Sequence, residues 1–171
     1  MDTSSLPKFK YHPNFYKTQM AVFNEWECAC CHKKTNAYIE SMYAVEDVGC
    51  ICLNCVADGS AAAKFDGSFI QDADKIDNPE AVDELFHRTP GYFSWQGENW
   101  KACCNDYCAY MADVDEAGFN SPGFQQQLFD GNIICETDMT LQELIENASY
   151  IRGYLFQCLH CRKKYLRVDM D

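Results

Sequence analysis

Cys28 and Cys31 form one C-x-x-C pair and Cys52 and Cys55 a second, with 20 residues between them. Each pair offers two thiolates on a tight turn, and two such pairs brought together supply the four soft ligands of a tetrahedral zinc ion. The spacing predicts a four-cysteine site at Cys28, Cys31, Cys52 and Cys55. Cys30 and Cys50 sit close enough in register to compete for a place, and His32 directly follows the first pair. A third pair, Cys158 and Cys161, needs two more ligands. Cys104 and Cys108 lie four apart, so on a helix both thiolates would project from one face. Cys104, Cys108, Cys158 and Cys161 are therefore expected to form the second site, with Cys103 the competitor for Cys104 and His160 inside the knuckle. Cys135 stands alone and is expected simply to be buried.

Two zinc ions so held are structural. Four protein ligands leave no coordination position for water, so a full site folds a chain and does not hydrolyse substrates. The sequence carries neither H-x-E with P-C-x-x-C, nor H-E-x-x-H, nor a phosphate-binding glycine loop. The histidines, His12, His32, His87 and His160, are scattered. A redox C-x-x-C would open a helix in a βαβ pattern, and no such pattern is visible. The expectation is a protein that is not an enzyme.

The compartment decides how 12 cysteines are read. The first residues, MDTSSLPKFKYHPN, contain no apolar signal core, and no run of about 18 apolar residues occurs. A cytoplasmic protein with no membrane span is expected, and in a reducing cytosol paired cysteines are ligands more often than disulfides.

The net charge of -12 is uneven. Residues 46–86 hold ten acids against two bases, and residues 98–146 ten against one. Such a middle either keeps a globule soluble or steers a basic partner by long-range attraction. It repels phosphate, which disfavours nucleic acid and anionic membrane. Asp72, Asp74, Asp83 and Glu84 are expected to face the partner, because the first pair precedes a helix and the second falls between its apolar positions. The stretch TPGYFSWQGENW, residues 89–100, is aromatic enough to be core beside a metal site or, through Trp95, a recognition surface. Arg162, Lys163, Lys164 and Arg167 offer the alternative of a zinc-ribbon module on nucleic acid or the transcription machinery, which the overall charge opposes.

The elements that must position these residues are short. Residues 22–27 and 37–43 read as strands flanking a knuckle at 28–34. A helix is expected near Asp58 or Gly59. Asn78 before Pro79 caps a helix presenting Val82, Leu85 and Phe86 and ending before Thr89. Ser121 with Pro122 opens another, carrying Phe124 and Leu128, and Thr140 with Glu143 forms a capping box for 141–148. Residues 153–157 and 165–168 flank the last knuckle as a hairpin. The fold class expected is α+β, with small zinc-ribbon-like hairpins and short helices packed around two structural four-cysteine zinc sites. One domain spans 1–171, comprising a knuckle region at 20–70, a helical middle at 78–148 and a ribbon hairpin at 150–171.

Taken together, LPKFKYHPN at 6–14, C-x-C-C at 28–31, CVADGSAAAKFDGSF at 55–69, RTPGYFSWQ at 88–96, C-x-D-Y-C-A at 104–109 and CLHC at 158–161 make the chain resemble the CbrC-like family of small bacterial proteins associated with colicin tolerance. The resemblance runs through nearly the whole chain. The family pattern differs at Asn54, where it places tryptophan, and at Cys103, where it places histidine. The resemblance implies a two-zinc fold and a link to survival of bacterial toxins. Joined to the acidic middle, it makes the expected partner a protein toxin domain, basic as nuclease toxins are, that the protein binds and neutralises as an immunity or tolerance protein.

Overall fold

The structure is a computed structural model and describes residues 3–170. It is a mixed α+β fold built on a four-stranded sheet and several two-stranded ribbons. The sheet order is Ile133–Cys135, Lys164–Met170, Ile151–Gln157, Ala109–Val114. The last two elements of the chain form a long antiparallel hairpin, Ile151 opposite Met170 through Gln157 opposite Lys164. Ala109–Val114 runs antiparallel to Ile151–Gln157 with a bulge at Leu155/Phe156, and Ile133–Cys135 runs parallel to Lys164–Met170.

Both faces of this sheet are covered, and strand alternation sorts the side chains between them. Tyr154, Phe156 and Tyr165 face an aromatic core of Tyr11, Tyr92, Trp100 and Tyr110, in which Tyr92 stacks on Tyr110 at 4.5 Å. Ile151, Leu155, Leu166 and Val168 face a second core with Phe119, Ile133 and Leu144. Gly153 lies on that second face, where a Cβ would come within 3.0 Å of Phe119 Cζ and of Val114 Cβ. A third core of Phe9, Phe15, Ile39, Ile51, Leu53 and Val56 surrounds Cys28, Cys52 and Cys55.

The helix signals resolve closely. Asn78 caps Pro79–Arg88 by accepting from the Ala81 N–H at 3.2 Å. The Thr140/Glu143 capping box forms, on a helix Leu141–Glu146 two residues shorter than expected. Pro122–Phe129 places Phe124 and Leu128 on the second core. Near Gly59 two helices stand in place of one, Leu53–Ala57 and Ser60–Phe65, broken by Gly59 at φ +76°. The strands around the first knuckle are much shorter than expected: Trp26–Glu27 pairs with Lys34–Thr35, and Tyr38–Ile39 pairs with Ile51–Cys52. Nor is residues 78–148 a purely helical segment, since it contributes Ala109–Val114 and Ile133–Cys135 to the sheet.

Candidate metal centres

The first knuckle is closed by its own backbone. The Cys28 N–H donates to Lys33 O at 3.0 Å and the His32 N–H to Cys28 O at 2.8 Å, with His32 left-handed at φ 59°. Lys64 Nζ crosses from Ser60–Phe65 to bind Ala29 O and Cys30 O at 2.9 and 2.7 Å. The opposing pair leaves the strand Ile51–Cys52 and enters Leu53–Ala57, so Cys52 precedes the helix and Cys55 lies on its first turn. The Ala29 N–H bonds Cys50 O at 2.8 Å and ties the halves together. The sulfurs of Cys28, Cys31, Cys52 and Cys55 all lie within 4.8 Å of one another. The competitors point elsewhere: Cys30 Sγ is 3.7 Å from Ser60 Oγ, and His32 is exposed beside Glu27.

The second cluster repeats the knuckle. Cys158 N–H donates to Lys163 O at 2.9 Å and Arg162 is left-handed at φ 63°, matching Cys28, Lys33 and His32. Its partner pair differs from expectation. Residues 103–108 form no helix: Ala102–Cys103 and Asp106–Tyr107 are paired strands joined by Cys104 and Asn105, both at positive φ, 59° and 55°. This is the backbone of a tight two-residue hairpin, which needs left-handed conformation at both central positions. It turns Cys103 and Cys104 together toward Cys158 and Cys161, and those four sulfurs lie within 4.8 Å of one another. Cys108 falls outside this group. It is fully buried in the aromatic core, with its N–H on Lys101 O and its carbonyl under Trp100 Nε1.

The geometry suits a tetrahedral ion. Zinc–thiolate bonds of about 2.3 Å set sulfurs about 3.8 Å apart. Cys31 and Cys52 Sγ are 3.9 Å apart, and Cys103 Sγ is 3.6 Å from both Cys104 and Cys161 Sγ. The family model described as "Uncharacterised protein family (UPF0167)" matches residues 6–170. The chain belongs to this family. A UPF0167 protein of Pseudomonas aeruginosa is 35% identical over 178 residues, covering 96% of this chain and 97% of the relative. UPF0167 proteins of Mycobacterium bovis and Mycobacterium tuberculosis are each 38% identical over 114 residues, 64% of this chain and 61% of theirs. No solved structure gives a significant match.

In this UPF0167 chain one cysteine per cluster is prepared as a thiolate. Burial pushes the Cys28 thiol up, but backbone N–H groups of Cys31, Cys52 and Cys30 outweigh it and bring it down to about 7. Cys158 is brought down to about 6 in the same way, chiefly by the N–H groups of Cys161 and His160 against burial. Their neighbours go the other way. Burial pushes Cys52 up to about 11, and the Cys104 thiol, donating to the Cys103 and Cys161 sulfurs, is pushed up to about 12. Four clustered thiols cannot all ionise alone, and a divalent cation resolves that by displacing the remaining protons. The surroundings differ in access: Cys28, Cys52 and Cys55 are buried, whereas Cys104 and Cys161 are exposed. Tyr165 Oη donates to Cys103 Sγ at 3.1 Å at the second cluster.

The residues expected to meet a partner divide. Asp72 is exposed. Asp74 is instead an internal brace, 2.7 Å from Arg167 Nη2, 3.2 Å from Lys101 Nζ and accepting from the Ala102 N–H at 2.9 Å. Asp83 is taken up by His87 and Arg88, each at 2.8 Å, while Glu84 is half-buried on the same helix. Trp95 is 44% exposed and its neighbour Phe93 59%, while Tyr92 and Trp100 of the same aromatic stretch are core. The basic edge also shrinks, because Arg167 is bound to Asp74 and Glu136 and Lys164 donates to Gln127. No helix among the described residues is long and apolar enough to cross a membrane.

Proposed function

We propose that this UPF0167 protein is a non-catalytic cytoplasmic binding protein, held together by two structural zinc ions, that neutralises a basic toxin domain in the manner of an immunity or tolerance protein. Zinc is the metal that four thiolates in a tetrahedron favour, and a filled site of that kind has no open position for chemistry. The observation that carries the partner's character is a stretch without any base: from Ala102 to Ile151 there is no Lys, Arg or His. Along it Asp115, Glu116, Asp130, Asp138, Glu143 and Glu146 are exposed, and none forms an ion pair among the described residues. Phe129, 78% exposed, and Tyr150, 64% exposed, supply apolar contact area among them. Nuclease-type toxins are basic because they hold phosphate, so such a face steers them into contact and covers the surface they use.

The test is binding of the zinc-loaded protein to basic nuclease toxin domains, together with inhibition of the nuclease that is bound. Association that accelerates as salt is lowered, with loss of nuclease activity at stoichiometric protein, is the expected result. Absence of binding at low ionic strength, or binding that leaves the nuclease active, overturns the proposal.

A further inference from the structure

Among the described residues two acids are buried, Asp106 and Glu98, each 6% exposed. Asp106 has a cation, Lys10 Nζ at 3.1 Å, and a further side-chain partner in His160 Nε2 at 2.9 Å. Glu98 has none among the described residues: its charged form is held by neutral donors, the Tyr92 N–H on Oε1 at 3.0 Å and the Gln71 N–H and Tyr43 hydroxyl on Oε2 at 3.2 and 2.9 Å. A buried carboxylate without a cation is costly, and burial pushes Glu98 up to about 7 despite those three bonds.

The backbone around it is shaped to admit the carboxylate. Gly91 packs directly on it, and a Cβ there would overlap Oε1 at 1.8 Å, while Gly97 turns the chain at φ +98°. Glu98 and Tyr43 line a cavity of about 220 Å³ whose other walls include Met20, Ile39, Phe69 and Phe93. One acid in the lining of a mostly apolar cleft, beside the hydroxyl-bearing Ser41, Tyr43 and Ser94, is a composition common in small-ligand sites, in which the polar groups fix orientation and the apolar walls supply contact.

We propose that this cavity binds a small ligand that carries a primary ammonium group on an apolar body, the ammonium meeting the Glu98 carboxylate and the body lying against Met20, Ile39, Phe69 and Phe93. No cysteine of either cluster lines the cavity, though Ile39 and Phe69 belong to the core that packs around the first cluster, and the site asks nothing of the toxin-binding reading. An ammonium supplies the cation that Glu98 lacks, in a setting where an ion pair is worth more than at the surface. The competing reading is a brace that pins residues 91–98 and needs no ligand.

Benzylammonium chloride and its neutral isostere benzyl alcohol separate the two, titrated into the zinc-loaded full chain and followed by amide NMR. Benzylammonium is expected to shift the Gln71 and Tyr92 amides saturably, with benzyl alcohol at least tenfold weaker. Glu98→Gln should erase that preference. Equal affinities for the two probes would assign the cavity to apolar contact alone, and no saturable shift at either amide, or shifts confined to Asp106 and its neighbours, would overturn the site outright. Should Glu98→Gln fail to fold, the comparison of the two probes on the unaltered protein still decides.

Discussion

His160 Nε2 lies 2.9 Å from Asp106 Oδ2, so the residue between the two cysteines of the last knuckle is held by the strand that follows the opposing pair. The same carboxylate accepts from Tyr11 Oη at 2.5 Å and Lys10 Nζ at 3.1 Å, drawing residues 10–11 onto the second cluster. Burial opposes its ionisation, but these donors hold its carboxyl below the usual range. Partners that orient ligands behind a metal matter by about 10–100-fold in affinity. Asp106→Asn should therefore weaken zinc at the second cluster by about that factor and leave the first unchanged, as read by competition with a chelating dye. Unchanged release would show that the contact does not orient the ligands.

The two clusters should release metal unequally. Cys104 and Cys161 are open to solvent, whereas three of the four ligands in the first cluster are buried. About two equivalents of zinc are expected, with chelator removing one in a fast phase that leaves most of the fold intact and the other in a slow phase coupled to unfolding. Cys55→Ser should abolish the slow phase and aggregate the N-terminal region, since structural zinc contributes on the order of 10 kcal/mol to such modules. A single phase of two equivalents would contradict the difference in access.

Cys103 and Cys108 give a sharper check of ligand identity. Cys103→Ser should cost one equivalent of zinc, while Cys108→Ala should keep both and lose about 1–2 kcal/mol from the shrunken side chain. Metal analysis beside a denaturant melt reads both effects. Loss of zinc from Cys108→Ala with retention by Cys103→Ser would restore the helical arrangement that the spacing of Cys104 and Cys108 suggests.

That pair also shows where the sequence could be read and where it could not. The knuckles were legible because each is a local unit: two cysteines, a residue that turns left-handed and a lysine whose carbonyl closes the loop. Caps such as Asn78 and Thr140 were legible for the same reason. The Cys104–Asn105 turn carries no glycine, and its one signal, an asparagine tolerant of positive φ, was outweighed by the i, i+4 spacing of two cysteines. Asp74 looked like a loop acid because its partner Arg167 is 93 residues away. Nothing local in the sequence marks Glu98 as buried, because Tyr43 and Gln71, whose groups bond its carboxylate, come from distant segments.

Glu98 makes stability depend on pH in an unusual direction for an acid. Its folded pKa, pushed up to about 7 by burial, lies above the unfolded value, so the native state binds the proton more tightly. Its contribution favours the fold below the unfolded carboxyl range and is lost as pH rises through about 7. The full change is about 3 kcal/mol. Between pH 6 and pH 8 the wild type should lose stability relative to Glu98→Gln, even though that variant is weaker overall for placing an amide donor among three donors. Parallel curves in urea melts across this range would place Glu98 at an ordinary pKa.

The last prediction separates acids that hold the fold from acids that meet a partner. Asp74 sits inside a network with Lys101, Arg167 and Glu136, in which Lys101 Nζ is 2.5 Å from Glu136 Oε1 and Arg167 Nε 3.3 Å from Oε2. Asp74→Lys would leave Lys101 and Arg167 facing a third cation, and losing charged hydrogen bonds of this kind costs about 2–3 kcal/mol. Any loss of binding in that variant reports unfolding. Glu116, Asp138 and Glu146 are exposed and form no ion pair among the described residues, so reversing all three to lysine should change stability by no more than about 0.5 kcal/mol each. If the base-free stretch steers a basic toxin domain, that triple variant should associate more slowly at low salt. The difference should close as ionic strength approaches physiological, where the Debye length is about 8 Å. Stopped-flow association at two salt concentrations, beside a melt of each variant, makes the comparison. A triple variant that stays folded and associates at the wild-type rate in low salt would remove this face from the mechanism and leave the exposed pair Phe93 and Trp95 as the surface to test next.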